Sequence, residues 1–476
     1  MKTDYPALGL FCPPEWHYEL STLIREVFPF AEVTATEAPC EFHIAPDGQS
    51  GFRTDEEGRE DLALSADDFR FPGDHGKNCA KQLIFRLLHA RLPWGILTGV
   101  RPTKVAYAYL VQGLSEEQVR DILISRYYLR PDKASLCVEV AGRESALLSD
   151  HTGTDASIYI GIPFCPTRCA YCSFISNDYR AYAKYGKAYV DCLIKEIEAA
   201  APLLSGRRLQ SFYMGGGTPT TLSAEQMDRV LCAAETAFGI SALREATVEA
   251  GRPDTITEEK LLVLREHDIG RLSVNPQTMH QCTLDKIGRR HTVEDIYRAF
   301  EQVRKVGFPV VNMDFILGLQ DETPEMVRES MEAVKTLRPE NLTIHTLAIK
   351  RASSYNERRM GADLVKEGDK IEQMLSICAD TARTLGLHPY YMYRQKNMAG
   401  NFENVGYAVP GTEGLYNIEI MEERQTILAL GAGGVTKLYY PAENRIERLP
   451  NVKTADEYIK RLSEMIERKE KGGIRL

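Results

Sequence analysis

From about residue 157 the chain alternates short apolar runs with longer stretches of helical periodicity. SIYIGI precedes AYVDCLIKEIEAA, SFYMGGG precedes SAEQMDRVLCAAETAF, and ATVEAG precedes TEEKLLVLREH. RLSVNPQ then leads to VEDIYRAFEQVRKVG, VVNMDFILGL to TPEMVRESMEAVKTL, and LTIHTLAI to KIEQMLSICADTARTLGL. The short runs have the length of buried strands, and the long ones repeat apolar positions at helical spacing. Ser223 with Gln226 predicts a capping box, and Thr323 followed by Pro324 predicts a helix start. Six such alternations in about 230 residues predict successive βαβ crossovers and a parallel sheet. A closed eight-fold barrel takes about 250 residues, so the expected fold is α/β, a partial, roughly six-stranded parallel βα barrel over 151–387. In such sheets ligands meet the carboxyl ends of the strands.

The flanks have other rhythms. Residues 1–150 read as an N-terminal α/β domain of unassigned role. LGLFC and FHIA are strand candidates, and residues 79–92 carry helical spacing at Leu83, Phe85, Leu87 and Leu88. Residues 114–129 predict another helix with Ser115 as N-cap. Between them PWGILTGVRPTK is a structured loop or a simple connector. After residue 388 the pattern breaks into Gly-, Asn- and Tyr-rich sequence with turn signals NMAGN and GTEG. The last 25 residues place Tyr458, Ile459, Leu462, Met465 and Ile466 on one helical face. Residues 388–476 are therefore expected as a C-terminal α+β accessory domain covering the substrate site.

Composition narrows the class. The chain of 476 residues is 43% hydrophobic and 26% charged, with a net charge of −9. These are ordinary globular values, and the acidic balance disfavours a nucleic-acid surface. The sequence shows neither a secretory h-region nor an apolar stretch long enough to span a bilayer, so a cytoplasmic location is expected. Eleven cysteines, an odd number without regular spacing, argue against a disulfide framework.

Three of those cysteines are gathered in YIGIPFCPTRCAYCSF, just after the first barrel strand: Cys165, Cys169 and Cys172. Thiolates are soft ligands suited to zinc or iron–sulfur centres. Structural zinc usually takes four closed ligands, often as two Cys pairs, and no second pair lies nearby. Three cysteines on a [4Fe–4S] cluster would leave one iron open for a ligand. A zinc site completed by His or Asp, or three incidental cysteines, are the competing readings. MGGGTPT (214–220) ends the second strand, and its glycines would let the backbone approach a ligand and present exposed N–H groups. Glu249, Gln277 and Asp314 fall at or near later strand ends, and Arg289 lies in KIGRRHT.

C-x3-C-x-Y-C after the first strand of a partial α/β barrel resembles the radical S-adenosylmethionine (SAM) superfamily. The full series of cysteines, GGGTPT, Glu, Gln, GRxH and D-x-I-x-GL resembles the oxygen-independent coproporphyrinogen III oxidase family within it. The N-terminal GILTGVRPTK and the C-terminal NFENVGYA and LALGAGGVTK extend the resemblance to its HemZ-type coproporphyrinogen dehydrogenase branch. The resemblance implies two cofactors, a [4Fe–4S] cluster held by Cys165, Cys169 and Cys172, and SAM. It implies that Tyr159, Tyr171, Gly216, Gly217, Thr218, Glu249, Gln277, Arg289, Asp314, Ala348 and Val435 contact SAM, with Tyr159 and Glu249 at the catalytic centre. The best-known oxidases carry a further cysteine two positions after the third ligand, where this chain has Phe174.

The implied reaction is the oxidative decarboxylation of coproporphyrinogen III to protoporphyrinogen IX without O2. Its partners would be a tetracarboxylate porphyrinogen, an electron donor such as flavodoxin or ferredoxin, and an unidentified terminal electron acceptor. Four propionates call for Arg or Lys partners. Lys350, Arg351, Arg394 and Lys396 are candidates, with Arg101 and Lys104 behind them. The alternative on the same scaffold is a haem chaperone, for which His345 or His388 could supply an axial ligand.

Overall fold

The computed structural model describes residues 7–28, 31–36, 40–65, 75–172, 178–348, 367–395 and 398–472. These fall into two units. The first takes the chain to Arg143 together with later segments that include Met392–Glu403, and the second comprises most of the remainder from Glu144.

The first unit holds a five-stranded sheet: β1 (Ala7–Phe11), β2 (Glu32–Ala35), β3 (Phe42–Ile44), β4 (Ser50–Asp55) and β5 (Gly58–Ala63), in the order β2-β1-β3-β4-β5. β1 pairs parallel with β2 and β3, while β3, β4 and β5 form an antiparallel meander. Helices Pro14–Val27 and His75–Leu87 pack on each other, and their Leu20, Leu23, Ile24, Leu83 and Ile84 are all fully buried. Ser115 caps helix Glu116–Ser125 in a reciprocal box with Gln118, which satisfies two amides that the first turn would leave unpaired. The stretch after Pro93 is a structured loop, with Trp94 buried and its indole N–H donating to Glu403 Oε2 at 2.9 Å. Lys133 Nζ lies 2.6 Å from the other oxygen of Glu403.

The second unit is built on β6 (Asp155–Ile162), β7 (Arg208–Gly216), β8 (Glu245–Glu249), β9 (Arg271–Ser273), β10 (Val310–Leu317) and β11 (Asn341–Thr346). These six strands pair in parallel in chain order, as the alternation of apolar runs predicts. Helices Tyr179–Ala200, Ala224–Phe238, Glu258–Glu266, Val293–Val306 and Pro324–Leu337 make the crossovers. Strands flanked on both faces read as continuous apolar sequence, and seven of the eight residues of β6 are buried. Ser223 and Gln226 form the predicted box, and Thr323 accepts from Met326 N with Pro324 in the first turn.

The expected boundary at 388 is not where the structure divides. Residues 388–476 contribute β12 (His388–Tyr393), β13 (Asn404–Ala408), β14 (Thr426–Leu430), β15 (Val435–Tyr440) and β16 (Arg445–Pro450) to the same sheet. The order is β12-β13-β11-β10-β9-β8-β7-β6-β14-β15-β16. β14 pairs parallel with β6, the strand that leads to the cysteines. The short strands expected of an α+β segment are there, five or six residues each, but they extend the barrel sheet rather than build a separate domain. Met392–Glu403 groups with the first unit because Arg394 N donates to Val100 O at 2.7 Å and Asn401 Nδ2 to Glu26 O at 3.1 Å. Among the described residues no helix is long and apolar enough to cross a membrane.

Candidate functional site

Of the polar residues expected at the site, Glu249 closes β8 and Gln277 follows β9, as a parallel sheet's carboxyl end would have them. Tyr159 and Asp314 instead sit mid-strand in β6 and β10, and Arg289 follows helix Gln281–Lys286. β6 runs into Pro163 and the fully buried Phe164, and the cysteine loop begins at the next residue. Its start is tied to the glycine turn after β7: Gly217 N donates to Ile162 O at 2.7 Å and Thr218 N to Phe164 O at 2.8 Å. Gly216 donates its amide to Glu249. The expectation that this turn offers free N–H groups is therefore corrected, because these amides are consumed in holding the cysteine loop and Glu249. Glycine is required for close approach: a Cβ on Gly217 would stand 2.6 Å from Phe164 O, and Gly216 has φ +103°.

The loop is anchored further along. Cys165 Sγ lies 3.5 Å from Thr218 Oγ1, Thr167 Oγ1 donates to Gly288 O at 2.8 Å, and Ala170 N donates to Ile287 O at 2.9 Å. Arg252, 3% exposed, reaches Thr167 Oγ1 at 3.0 Å and Cys169 Sγ at 3.9 Å while Asp254 holds its other edge. Arg289, also buried, donates to Gly251 O at 3.2 Å, to Asn275 O, and to the Tyr171 hydroxyl at 3.3 Å. Two guanidinium groups thus face the cysteine loop from below. Burial raises the pKa of Tyr171, so it serves here as a neutral acceptor.

Behind the loop is a stack of tyrosines. Tyr159 on β6 is in register with Tyr213 on β7, and their ring centroids are 6.2 Å apart. Tyr416, from helix Leu415–Glu422, lies over both, at 4.4 Å from Tyr213 and 6.1 Å from Tyr159. That helix is fixed by Glu419, whose Oε2 accepts from Ser157 and Ser211 at 2.6 Å each. Tyr213 donates its hydroxyl hydrogen to Glu249 Oε1. Burial pushes the Glu249 carboxyl up to about 7, and the nearby Asp314 charge adds to this against the Tyr213 bond. Asp314 goes the other way. Burial would raise it, but hydrogen bonding and charge from His345, with help from Asn312 and Thr343, leave it below the usual carboxylate range. Asn312 Nδ2 donates to it at 2.7 Å and His345 Nε2 is 3.9 Å away.

Gln277 adopts φ +71°, which lets its backbone bridge to β10: its N–H donates to Asp314 O at 2.9 Å and its carbonyl accepts from Ile316 N at 3.0 Å. Its side-chain Oε1, together with Asn275 Oδ1 and Arg289 Nε, is buried without a partner. Buried polar atoms rarely stay unpaired, so two acceptors and a cationic donor suit a polar, zwitterionic ligand here. With a thiolate loop for iron alongside, this set of residues fits a cluster and SAM.

Ala348 is buried just past β11, where Leu347 N pairs with Leu317 O at 2.9 Å. Val435 begins β15 after the Gly431–Gly434 turn and is 39% exposed. Arg394 is removed from the propionate candidates. It is 4% exposed and committed to Leu97 O, Glu26 and Asn401 O within the first unit. His388 is exposed at the start of β12. Phe174, Lys350, Arg351 and Lys396 lie outside the described residues. Sequence reading missed Arg252, Tyr213 and Tyr416. The first was visible as the Arg of EAGRPD, three positions beyond Glu249; Tyr213 needed the β6–β7 register, and Tyr416 a contact across some 200 residues.

The radical SAM superfamily model matches residues 159–334. The chain is 40% identical over 402 residues to the oxygen-independent coproporphyrinogen-III oxidase-like protein HemZ of Bacillus subtilis (strain 168), covering 83% of this chain and 80% of that relative. It is 30% identical over 281 residues to the heme chaperone HemW of Lactococcus lactis subsp. lactis (strain IL1403), covering 58% and 68%. Among solved structures, coproporphyrinogen III oxidase (HemN) from Escherichia coli, a radical SAM enzyme, matches with a TM-score of 0.54 and 22% identity over 68% of this chain and 73% of that one. That likeness is one of fold.

Proposed function

Because the chain belongs to the radical SAM superfamily and to the family of HemZ, with a [4Fe–4S] cluster and SAM as its cofactors, we propose that it decarboxylates coproporphyrinogen III oxidatively to protoporphyrinogen IX without O2. The observation that carries this reading is the row of Tyr159, Glu249, Gln277, Arg289 and Asp314 beside a three-cysteine loop, with Gln277 Oε1 and Arg289 Nε left unpaired.

In this reading Cys165, Cys169 and Cys172 hold three irons of the cluster. Glu249 would accept from the amino group of SAM, and Gln277, Arg289 and Asp314 would meet its other polar groups. Tyr159, Tyr213 and Tyr416 wall the site with aromatic surface and keep water from it. When bound, the two cofactors supply a 5′-deoxyadenosyl radical that takes a hydrogen atom from a substrate propionate, the electron coming from a flavodoxin- or ferredoxin-like donor. Two of the four propionates would in turn lose CO2 and one electron to an external acceptor, each becoming a vinyl group, and the other two would remain.

Anaerobic incubation of the cluster-loaded protein with SAM, dithionite and coproporphyrinogen III tests the proposal. Vinyl porphyrinogen together with 5′-deoxyadenosine is the expected result. Stoichiometric haem binding with no decarboxylation would favour a chaperone role, the reading that the HemW relative supports.

A further inference from the structure

Outside the cysteine loop, the outer helical layer of the second unit brings a carboxylate, a thiol and an imidazole together. Asp228 and Cys232 are four residues apart on helix Ala224–Phe238 and so share one face. His267 caps the C-terminus of helix Glu258–Glu266, which packs against the first. Cys232 Sγ is 3.7 Å from Asp228 Oδ1 and 3.9 Å from His267 Nε2, and that nitrogen is 2.8 Å from Asp228 Oδ1. All three ligand atoms lie within 4.8 Å of one another.

We propose that Asp228, Cys232 and His267 form a binding site for a borderline-soft divalent cation, Zn(II) foremost. Tetrahedral zinc with Zn–S of about 2.3 Å and Zn–N or Zn–O of about 2.0–2.2 Å sets ligand atoms about 3.4–3.6 Å apart. The two sulfur distances are already close to this. The imidazole–carboxylate distance is that of a hydrogen bond, and it opens by about half an ångström when a metal ion replaces the shared proton. The Asp228 side chain is 48% exposed and free to make that adjustment, whereas His267 is 13% exposed and held in place. One sulfur, one nitrogen and one oxygen select zinc over calcium or magnesium, which prefer all-oxygen shells. Cys232 is exposed, so the ion has a path in and water can take the fourth position. Ligands from two helices make the ion a cross-brace between the βα units that carry the glycine turn and Glu249.

The test uses the full-length chain with its cluster reconstituted, so that Cys165, Cys169 and Cys172 are occupied by iron. After addition of Zn(II) and desalting, about one zinc per chain is expected, with one sulfur in its shell by zinc-edge X-ray absorption. Zinc should also raise the melting temperature. Cys232→Ser should remove the sulfur signal, and Cys232→Ser and His267→Gln should each weaken retention by about tenfold or more, with iron content unchanged. A cluster-loaded protein that retains no zinc, or a zinc shell without sulfur, overturns the proposal on the unmodified chain. Undiminished binding in Cys232→Ser overturns it as well.

Discussion

Tyr213 and Glu249, on adjacent strands, are joined by a hydrogen bond from the phenol to the carboxylate, with Tyr416 stacked on the phenol from behind. The bond holds the carboxylate in the mouth of the sheet and favours its charged form. Without it, burial alone would keep Glu249 protonated to a higher pH.

If Glu249 accepts from the SAM amino group, its ionised form is the stronger acceptor. SAM affinity of the cluster-loaded protein should rise with pH up to about 7 and level off above it. Tyr213→Phe should move that inflection upward by about one pH unit. Glu249→Gln should weaken binding at pH 8 and flatten the profile. Anaerobic equilibrium dialysis across pH reads all three outcomes, and a wild-type profile with no inflection would refute the role given to Glu249.

Glu419 gives a stability test independent of catalysis. Burial pushes its carboxyl up to about 7 from an ordinary value of 4.5. The folded state therefore holds a proton that the unfolded chain has released. The resulting stabilisation is full below about pH 4.5 and is lost as pH rises through 7. Glu419→Gln keeps an oxygen for Ser157 and Ser211 without the charge. It should match wild type near pH 4.5 and exceed it by about 2–3 kcal/mol at pH 8 in denaturant melts. Equal melts at pH 8 would show that the pocket is wetter than its geometry implies.

Gly217→Ala should be damaging although alanine is small. Its Cβ would meet Phe164 O at 2.6 Å and Ile162 O at 2.8 Å, backbone atoms that cannot move without shifting the start of the cysteine loop. A loss of about 1–3 kcal/mol in stability is expected, with a larger proportional loss in iron content after reconstitution. A variant with full iron would mean that the loop has slack.

Cys169→Ala should abolish iron–sulfur absorbance with little change in melting temperature. Arg252→Ala should retain iron but lower the cluster's reduction potential, by a shift on the order of tens of millivolts, because a buried cation 3.9 Å from Cys169 Sγ favours the more negative state. A redox titration followed by electron paramagnetic resonance would detect it. An unchanged potential would reduce Arg252 to a purely structural tie.

Local pattern carried much of the second unit. The six parallel strands followed from apolar run length, and the helix starts from Ser223, Gln226 and Thr323, because capping is settled within four residues. Cys165, Cys169 and Cys172 were legible for the same reason. What escaped was long-range. β14 reads as a short apolar stretch among glycines, and only its pairing with β6 makes it a barrel strand. Arg394 looked like a free cation because nothing nearby in sequence announces Glu26 or Leu97 as its partners. The glycine turn was recognised, but which acceptors its amides reach depends on Phe164 lying across the strand gap.

The place of β14 has a consequence for biosynthesis. The strand that delivers the cysteine loop has one edge on β7, but its other edge stays bare until Thr426–Leu430 emerges, some 270 residues later. A nascent chain halted before that point presents an open edge at the root of the metal-binding loop, ready to pair with another chain. Truncation before Thr426 should therefore lower iron content after reconstitution even though Cys165, Cys169 and Cys172 are all retained.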